Sequence, residues 1–157
     1  MCGIVGYIGN KKAQDIVISG LKRLEYRGYD SAGLSTIEDK LIMTTKTKGK
    51  ILDLEQELLK TNHNSCIGMG HTRWATHGEP TTANAHPHTD SDNIFSLIHN
   101  GIIENHYSIK EFLLSKGVKF SSDTDSEVLV QLIAYFYKQN QLDFFDTVKD
   151  ALKEVVG

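Results

Sequence analysis

Apolar residues in this chain never run together for long, and their spacing changes character part-way along it. As far as Ile98 they come in short β-branched or glycine-rich runs, and beyond Asn105 they recur every three to four residues. The first pattern reads as strands and the second as amphipathic helices. The opening Cys2-Gly3-Ile4-Val5-Gly6-Tyr7-Ile8-Gly9 is expected to be a buried strand whose glycines let backbone or ligand come close. A helix follows, capped by Asn10, with Ala13, Ile16, Val17, Gly20, Leu21 and Leu24 on one stripe and Gly28 beyond its end. Residues 33–37 and 41–45 form a hairpin about Glu38-Asp39-Lys40, and 51–59 a short helix. Residues 66–70 and 94–98 are two more strands, joined by a long polar stretch that holds both prolines. Helices then cover 105–116, 125–139 and 143–155, the second introduced by the capping box Thr124-x-x-Glu127. Strands, helix, strands and helices in that order make an α+β chain, and with no repeat or dividing linker the expectation is one domain over 1–157.

Composition removes several function classes. The net charge of -3 comes from 17 basic and 20 acidic residues scattered along the chain, so no basic stripe exists to hold nucleic acid or an anionic membrane surface. No apolar run is long enough to span a bilayer, and the first residues lack a signal peptide's charged start and cleavage site. A cytoplasmic location is therefore expected. The two cysteines, Cys2 and Cys66, are read separately, Cys66 as a buried, unreactive thiol in an apolar strand.

Cys2 becomes the N-terminal residue if Met1 is trimmed, and a free α-amino group with a pKa of roughly 7.7 to 8.0 can then take the proton of its own thiol. From position alone Cys2 reads as an ordinary small buried residue beside Gly3. Its context is two loops placed after strands: His71-Thr72-Arg73-Trp74-Ala75-Thr76-His77-Gly78-Glu79-Pro80 and His99-Asn100-Gly101-Ile102-Ile103-Glu104-Asn105. Singly, Arg73 reads as a surface ion-pair former, Trp74 as a core aromatic and Asn100-Gly101 as a turn.

Together these segments resemble a known family. Cys2-Gly3-Ile4-Val5-Gly6, the run from Leu24 to Gly33, His71 to Pro80, Ala85-His86-Pro87-His88, His99 to Asn105 and Thr124-Asp125-Ser126-Glu127 are similar to the glutaminase (class II glutamine amidotransferase) domain of the glutamine–fructose-6-phosphate aminotransferases (isomerizing), the glucosamine-6-phosphate synthases. The resemblance implies an N-terminal nucleophile hydrolase fold, a four-layer α/β/β/α sandwich, and a glutaminase reaction with L-glutamine as substrate and no cofactor. It implies Cys2 as nucleophile, with Asn100 and Gly101 as oxyanion donors, each donor supplying a factor of about 10²–10³. Free glutamine needs a cation for its carboxylate and an anion for its ammonium, demands that Arg73 and Asp125 meet, with Thr76 and His77 as further donors. Asp125 serves equally as a first-turn carboxylate stabilising its own helix. Trp74, by resemblance alone, lies between the glutaminase site and the outlet for ammonia, and a packed core indole is the competing reading.

The seven histidines match no zinc spacing, and the glycines at 3, 6 and 9 are not a dinucleotide fingerprint, so neither a metal nor a nucleotide site is expected. The resemblance further implies that such domains extend past position 157 and deliver ammonia to a sugar-phosphate isomerase domain that this chain lacks. An incomplete sandwich, truncated on its C-terminal side, exposes apolar faces and invites a homodimer or a partner chain. The alternatives to a working glutaminase are a catalytically silent fragment that at most binds glutamine or a partner, and a histidine-based metal hydrolase.

Overall fold

The computed structural model describes residues 2–74, 79–140 and 143–157. The chain divides into two compact units, Met1–Pro87 and His88–Gly157.

In the first unit the strands β1 (Gly3–Ile8), β2 (Ser31–Glu38), β3 (Leu41–Lys48) and β4 (Ile67–Arg73) form one antiparallel sheet in the order β1-β4-β2-β3. Helices α1 (Ala13–Leu24) and α2 (Ile51–Leu58) pack on one face of it. Their Val17, Ile18, Leu21, Ile51, Leu54 and Leu58 join Ala32 and Leu34 in a buried core, with Val5, Tyr7 and Tyr29 against it. α1 can lie this close because β4 offers no side chain where it crosses. A Cβ on Gly70 would stand 2.9 Å from Leu21 Cδ1 and crowd Val17 still more closely.

Local chemistry refines the expected boundaries. The hairpin is present, with Asp39 and Lys40 both at positive φ, 48° and 67°, the backbone of a type I′ turn that suits strand twist. Asn10 does not cap α1. The helix starts at Ala13, whose N–H donates to Ser65 O at 2.8 Å, so a tertiary carbonyl satisfies the end instead of a side chain. β1 is buried on one face only: Val5 and Tyr7 face the core while Ile4 and Ile8 are exposed. Cys66 precedes β4 and is exposed, which corrects the reading of a buried thiol; its carbonyl, not its sulfur, is used, accepting from Gly9 N–H at 3.2 Å.

The second unit holds a two-residue-wide ribbon, β5 (His88–Thr89) with β6 (Ser96–Leu97), and helices α3 (His106–Ser115), α4 (Asp125–Asn140) and α5 (Phe144–Lys153). The strand expected over 94–98 shrinks to β6 because the Asp90 carboxylate captures its first residues. Asp90 accepts from Asp92 N at 3.0 Å and from Ile94 N and Phe95 N at 2.7 Å each, so those amides are spent in a turn and not in a ladder. The core joins Val128, Leu129, Leu132 and Ile133 of α4 to Ile103, Ile109, Leu113 and Ala151. Asp143 caps α5, accepting from Asp146 N at 2.9 Å.

The capping box at α4 is half formed. Thr124 Oγ1 accepts from Glu127 N at 3.3 Å, but the Glu127 carboxylate turns away from the cap. One oxygen takes Ser121 N and Oγ (2.8 and 2.9 Å), and the other Ser122 N and Oγ (2.6 Å each). A buried carboxylate is tolerable on these terms, and it holds the loop entering the helix. No helix among the described residues is long and apolar enough to cross a membrane.

Two polar side chains, Tyr29 partly buried and His63 buried, bind the first unit together. Tyr29 donates its hydroxyl to the Glu25 carboxylate and accepts from Ile51 N at 2.8 Å, and burial together with Glu25 pushes its pKa up to about 12. His63 lies between Thr36 Oγ1, 2.8 Å from Nδ1, and Thr45 Oγ1, 2.9 Å from Nε2. Burial first, and the charge of Lys12 second, hold its pKa below the ordinary 6.5. The fold therefore favours the neutral ring. Its contribution to stability is complete above that ordinary value and is lost as pH falls through the lowered native one. Urea melts from pH 7 to pH 5 are expected to show falling stability in the parent chain and a shallower fall in His63→Asn; equal slopes would remove His63 as the source.

Candidate active site

Strand pairing builds the surroundings of Cys2. Gly3 lies opposite Thr72 in the β1–β4 ladder, so Cys2, one residue before, meets the residues that follow Thr72. Trp74 N–H donates to Cys2 Sγ at 3.3 Å, and the thiol lies 3.7 Å from Trp74 O as donor. The N–H contact grows more favourable as the sulfur gains negative charge. Cys2 is half-buried and free of any disulfide.

Arg73 ends β4 and is buried. Its carbonyl accepts from Asp30 N at 2.8 Å, and Nη1 points to Glu79 O at 3.5 Å. Trp74 is half exposed, and its ring covers Gly28: a Cβ there would stand 2.7 Å from Cζ3. Of the expected site residues, Thr76 and His77 lie outside the described ones.

The segment that continues from Glu79 crosses back over the sheet of its own unit. Lys46 Nζ donates to Ala83 O at 2.9 Å, Lys48 N to Thr82 Oγ1 at 3.3 Å, and Asn84 Nδ2 to Glu79 O at 3.0 Å. The His71 and His86 rings meet at a tilt of 47°, their centroids 4.6 Å apart. Glu79 O, beside the Arg73 guanidinium, is thus fixed by Asn84.

The second unit carries Asn100, Gly101 and Asp125. Asn100 and Gly101 are exposed in the loop between β6 and α3. Asp125 opens α4 and is largely buried, with Oδ2 accepting from Ile103 N at 2.8 Å and Oδ1 3.5 Å from Ser126 Oγ. Beyond that loop, Glu104 N donates to Val156 O at 2.7 Å, and Asn105 Nδ2 to Glu154 O at 2.7 Å.

So the structure joins Cys2 with Trp74 and Arg73, and joins the Asn100–Gly101 loop with Asp125. Two groups were given no role by the sequence: the Trp74 backbone N–H, which leaves no mark in residue types, and Ser126, quoted only within its motif, whose oxygen is 3.3 Å from His99 Nδ1. The spacing of Ser126 from His99 carries no periodicity, so only the fold could reveal it. Among the described residues, no group of three or more His, Cys, Asp or Glu side chains could hold a metal ion.

The family profile described as "Glutamine amidotransferase domain" matches residues 57–141, more than half of the chain. The chain belongs to that family. All of it aligns with proteins named glutamine–fructose-6-phosphate aminotransferase [isomerizing]: 52% identity to that of Clostridium tetani, 55% to that of Bacteroides thetaiotaomicron and 51% to that of Aquifex aeolicus. The chain spans about a quarter of these relatives' length, 25%, 26% and 26% respectively. Among solved structures it resembles the glutamine phosphoribosylpyrophosphate amidotransferase of B. subtilis (26% identity, TM-score 0.78), covering 100% of this chain and 33% of that one. A second likeness, to an allosteric regulatory enzyme of purine biosynthesis, has 27% identity and a TM-score of 0.82, with 99% of this chain and 33% of that one covered. The amidotransferase domain thus has the α+β fold of the N-terminal nucleophile hydrolases.

Gly28 adopts φ 72° and ψ 143°, a conformation that costs a residue with a side chain about 1–3 kcal/mol. Gly28→Ala should lower stability by that amount and, by pushing on the chain's one tryptophan, alter its fluorescence emission. Urea titration with emission scanning checks both; an unchanged spectrum at full stability would mean that Trp74 does not rest on Gly28.

Proposed function

We propose that this amidotransferase domain hydrolyses L-glutamine to glutamate and ammonia through a glutamyl thioester on Cys2. The observation that carries the reading is the Trp74 N–H donated to Cys2 Sγ at the end of β4, adjoining the buried Arg73. A sulfur placed against a fixed backbone donor suits a nucleophile, because the donor N–H orients the sulfur before it attacks.

With Met1 removed, the α-amine of Cys2 takes the thiol proton as sulfur bonds to the side-chain amide carbon of glutamine. The carbonyl oxygen becomes an oxyanion and accepts hydrogen bonds from the Asn100 amide group and the Gly101 N–H, each supplying a factor of about 10²–10³. The carbon–nitrogen bond then breaks as the α-ammonium returns its proton to the leaving nitrogen, and ammonia departs. Water attacks the thioester, the amine takes a proton from it, and glutamate leaves with the thiol restored. Arg73 meets the substrate α-carboxylate bidentately, with Thr76 and His77 as further donors, while Asp125 meets the α-ammonium. A carboxylate has about four acceptor positions, so Asp125 can serve the ligand while keeping the Ile103 N–H. Trp74, half exposed beside the sulfur, is suited to gate the exit of ammonia.

The relatives' shared name and greater length support the wider reading. In it, residues 1–157 are an incomplete glutaminase domain of a cytoplasmic glucosamine-6-phosphate synthase, which passes ammonia to a sugar-phosphate isomerase domain acting on fructose 6-phosphate. A homodimer is part of the same proposal.

Intact mass and a glutamate-release assay test the reaction. Protein lighter by one methionine should release glutamate, while Cys2→Ala or alkylation by a glutamine-like electrophile should lower the rate about 10³-fold or more. Protein that retains Met1 should be inactive, because its base is tied up as an amide. Processed chain that leaves glutamine untouched would make this piece a silent fragment; turnover surviving in Cys2→Ala would refute the mechanism.

A further inference from the structure

The loop that presents Asn100 and Gly101 is gripped at both ends by consecutive residues of one helical turn. At its far end, Ile103 is buried and its N–H donates to Asp125 Oδ2 at 2.8 Å. At its near end, His99 Nδ1 lies 3.3 Å from Ser126 Oγ. The serine oxygen is also 3.5 Å from Asp125 Oδ1. Whichever of its two neighbours the hydroxyl donates to, Ser126 ties the His99 ring to the first turn of α4.

The other side of the imidazole faces the backbone of the donor residue. A Cβ built on Gly101 would stand 2.6 Å from His99 Nε2 and 3.0 Å from Cε1. The ring therefore fills the place where a side chain at 101 would be, and the lack of a side chain lets ring and main chain approach. His99 spans the distance between the first turn of α4 and the main chain of Gly101.

Resting on the reaction proposed above, we infer that His99 and Ser126 are positioning residues for the oxyanion donors. Neither touches substrate. Ser126 fixes the His99 ring, and the ring limits where the Gly101 N–H can point. An oxyanion donor is effective only when it is aimed before charge develops. A loop free to reorient would lose rate while binding glutamine nearly as well, because the Arg73 and Asp125 contacts to the substrate's charged ends do not pass through the ring.

Steady-state glutamine hydrolysis by the processed chain separates the outcomes. Ser126→Ala and His99→Ala should each lower kcat about 10- to 100-fold with KM within about 3-fold. The double variant should be no worse than the poorer single one, as for two residues acting through one contact. His99→Asn, whose amide keeps a hydrogen-bonding atom near the position of Nδ1, and Ser126→Thr should recover most of the rate. Thermal melts identify any variant that has lost its fold, and the two conservative variants then carry the decision. Unchanged kcat in both alanine variants, an equal rise in KM, additive losses, or no recovery in the conservative pair would overturn the positioning role. Absence of turnover in the unsubstituted processed chain would instead overturn the proposed reaction.

Discussion

Everything about the sulfur at Cys2 depends on one register, Gly3 opposite Thr72. Strand β4 is paired on both sides, and Thr72 also lies opposite Ala32 of β2, so the start of β1, the end of β4 and the start of β2 come to the same end of the sheet. Antiparallel pairing thereby collects Cys2, Asp30, Arg73 and Trp74 from distant parts of the chain, through backbone bonds that are indifferent to their side chains. A slip of one residue would turn every side chain of β1 over. Ile4 and Ile8 would replace Val5 and Tyr7 against the core, and the Trp74 N–H would no longer meet sulfur. The register is held by packing, because Val5 and Tyr7 reach the helices across from Gly70 and Gly68, where β4 has no side chains to block them.

That dependence explains what was legible in the sequence. Helices 105–116, 125–139 and 143–155 were visible because a period of three to four apolar residues belongs to the element itself, and the observed helices begin and end within a few residues of those positions. The hairpin was visible too, although its turn uses Asp39-Lys40 in place of the commoner Asn-Gly. What failed were statements requiring a partner far along the chain. The strand at 94–98 contracts because Asp90 takes its amides, and Asn10 is displaced as a cap because Ser65 O is available to Ala13. An apolar neighbourhood such as Ser65-Cys66-Ile67 says nothing about which way a thiol faces at the residue before a strand begins. Cys66 faces out.

The candidate site divides along the same line. The family resemblance of the motifs named Cys2, Arg73, Trp74, Thr76, His77, Asn100, Gly101 and Asp125, whereas singly each of these residues reads as an ordinary turn, surface or core position. Backbone donors were invisible, since every residue except proline has one. The structure selects Trp74 N–H for the sulfur and Ile103 N–H for Asp125.

The first turn of α4 shows why local and tertiary readings of one motif need not compete. Thr124-x-x-Glu127 has the residues of a reciprocal cap, and an isolated helix would use them so. Here Thr124 keeps its half of the motif and Glu127 gives its half up, because four donors from Ser121 and Ser122 stabilise a buried carboxylate more than one backbone N–H could. Asp125 and Ser126, between them, are then free to face the loop that carries Asn100 and Gly101. The three consecutive side chains Asp125, Ser126 and Glu127 each hold a different loop atom: Ile103 N, His99 Nδ1 and the Ser121–Ser122 amides. A helix turn has one rigid backbone, so fixing any one of these loops fixes the frame for the others. Rigidity of the loop that carries Asn100 and Gly101 is therefore inherited from the apolar packing of Val128, Leu129, Leu132 and Ile133 further along α4.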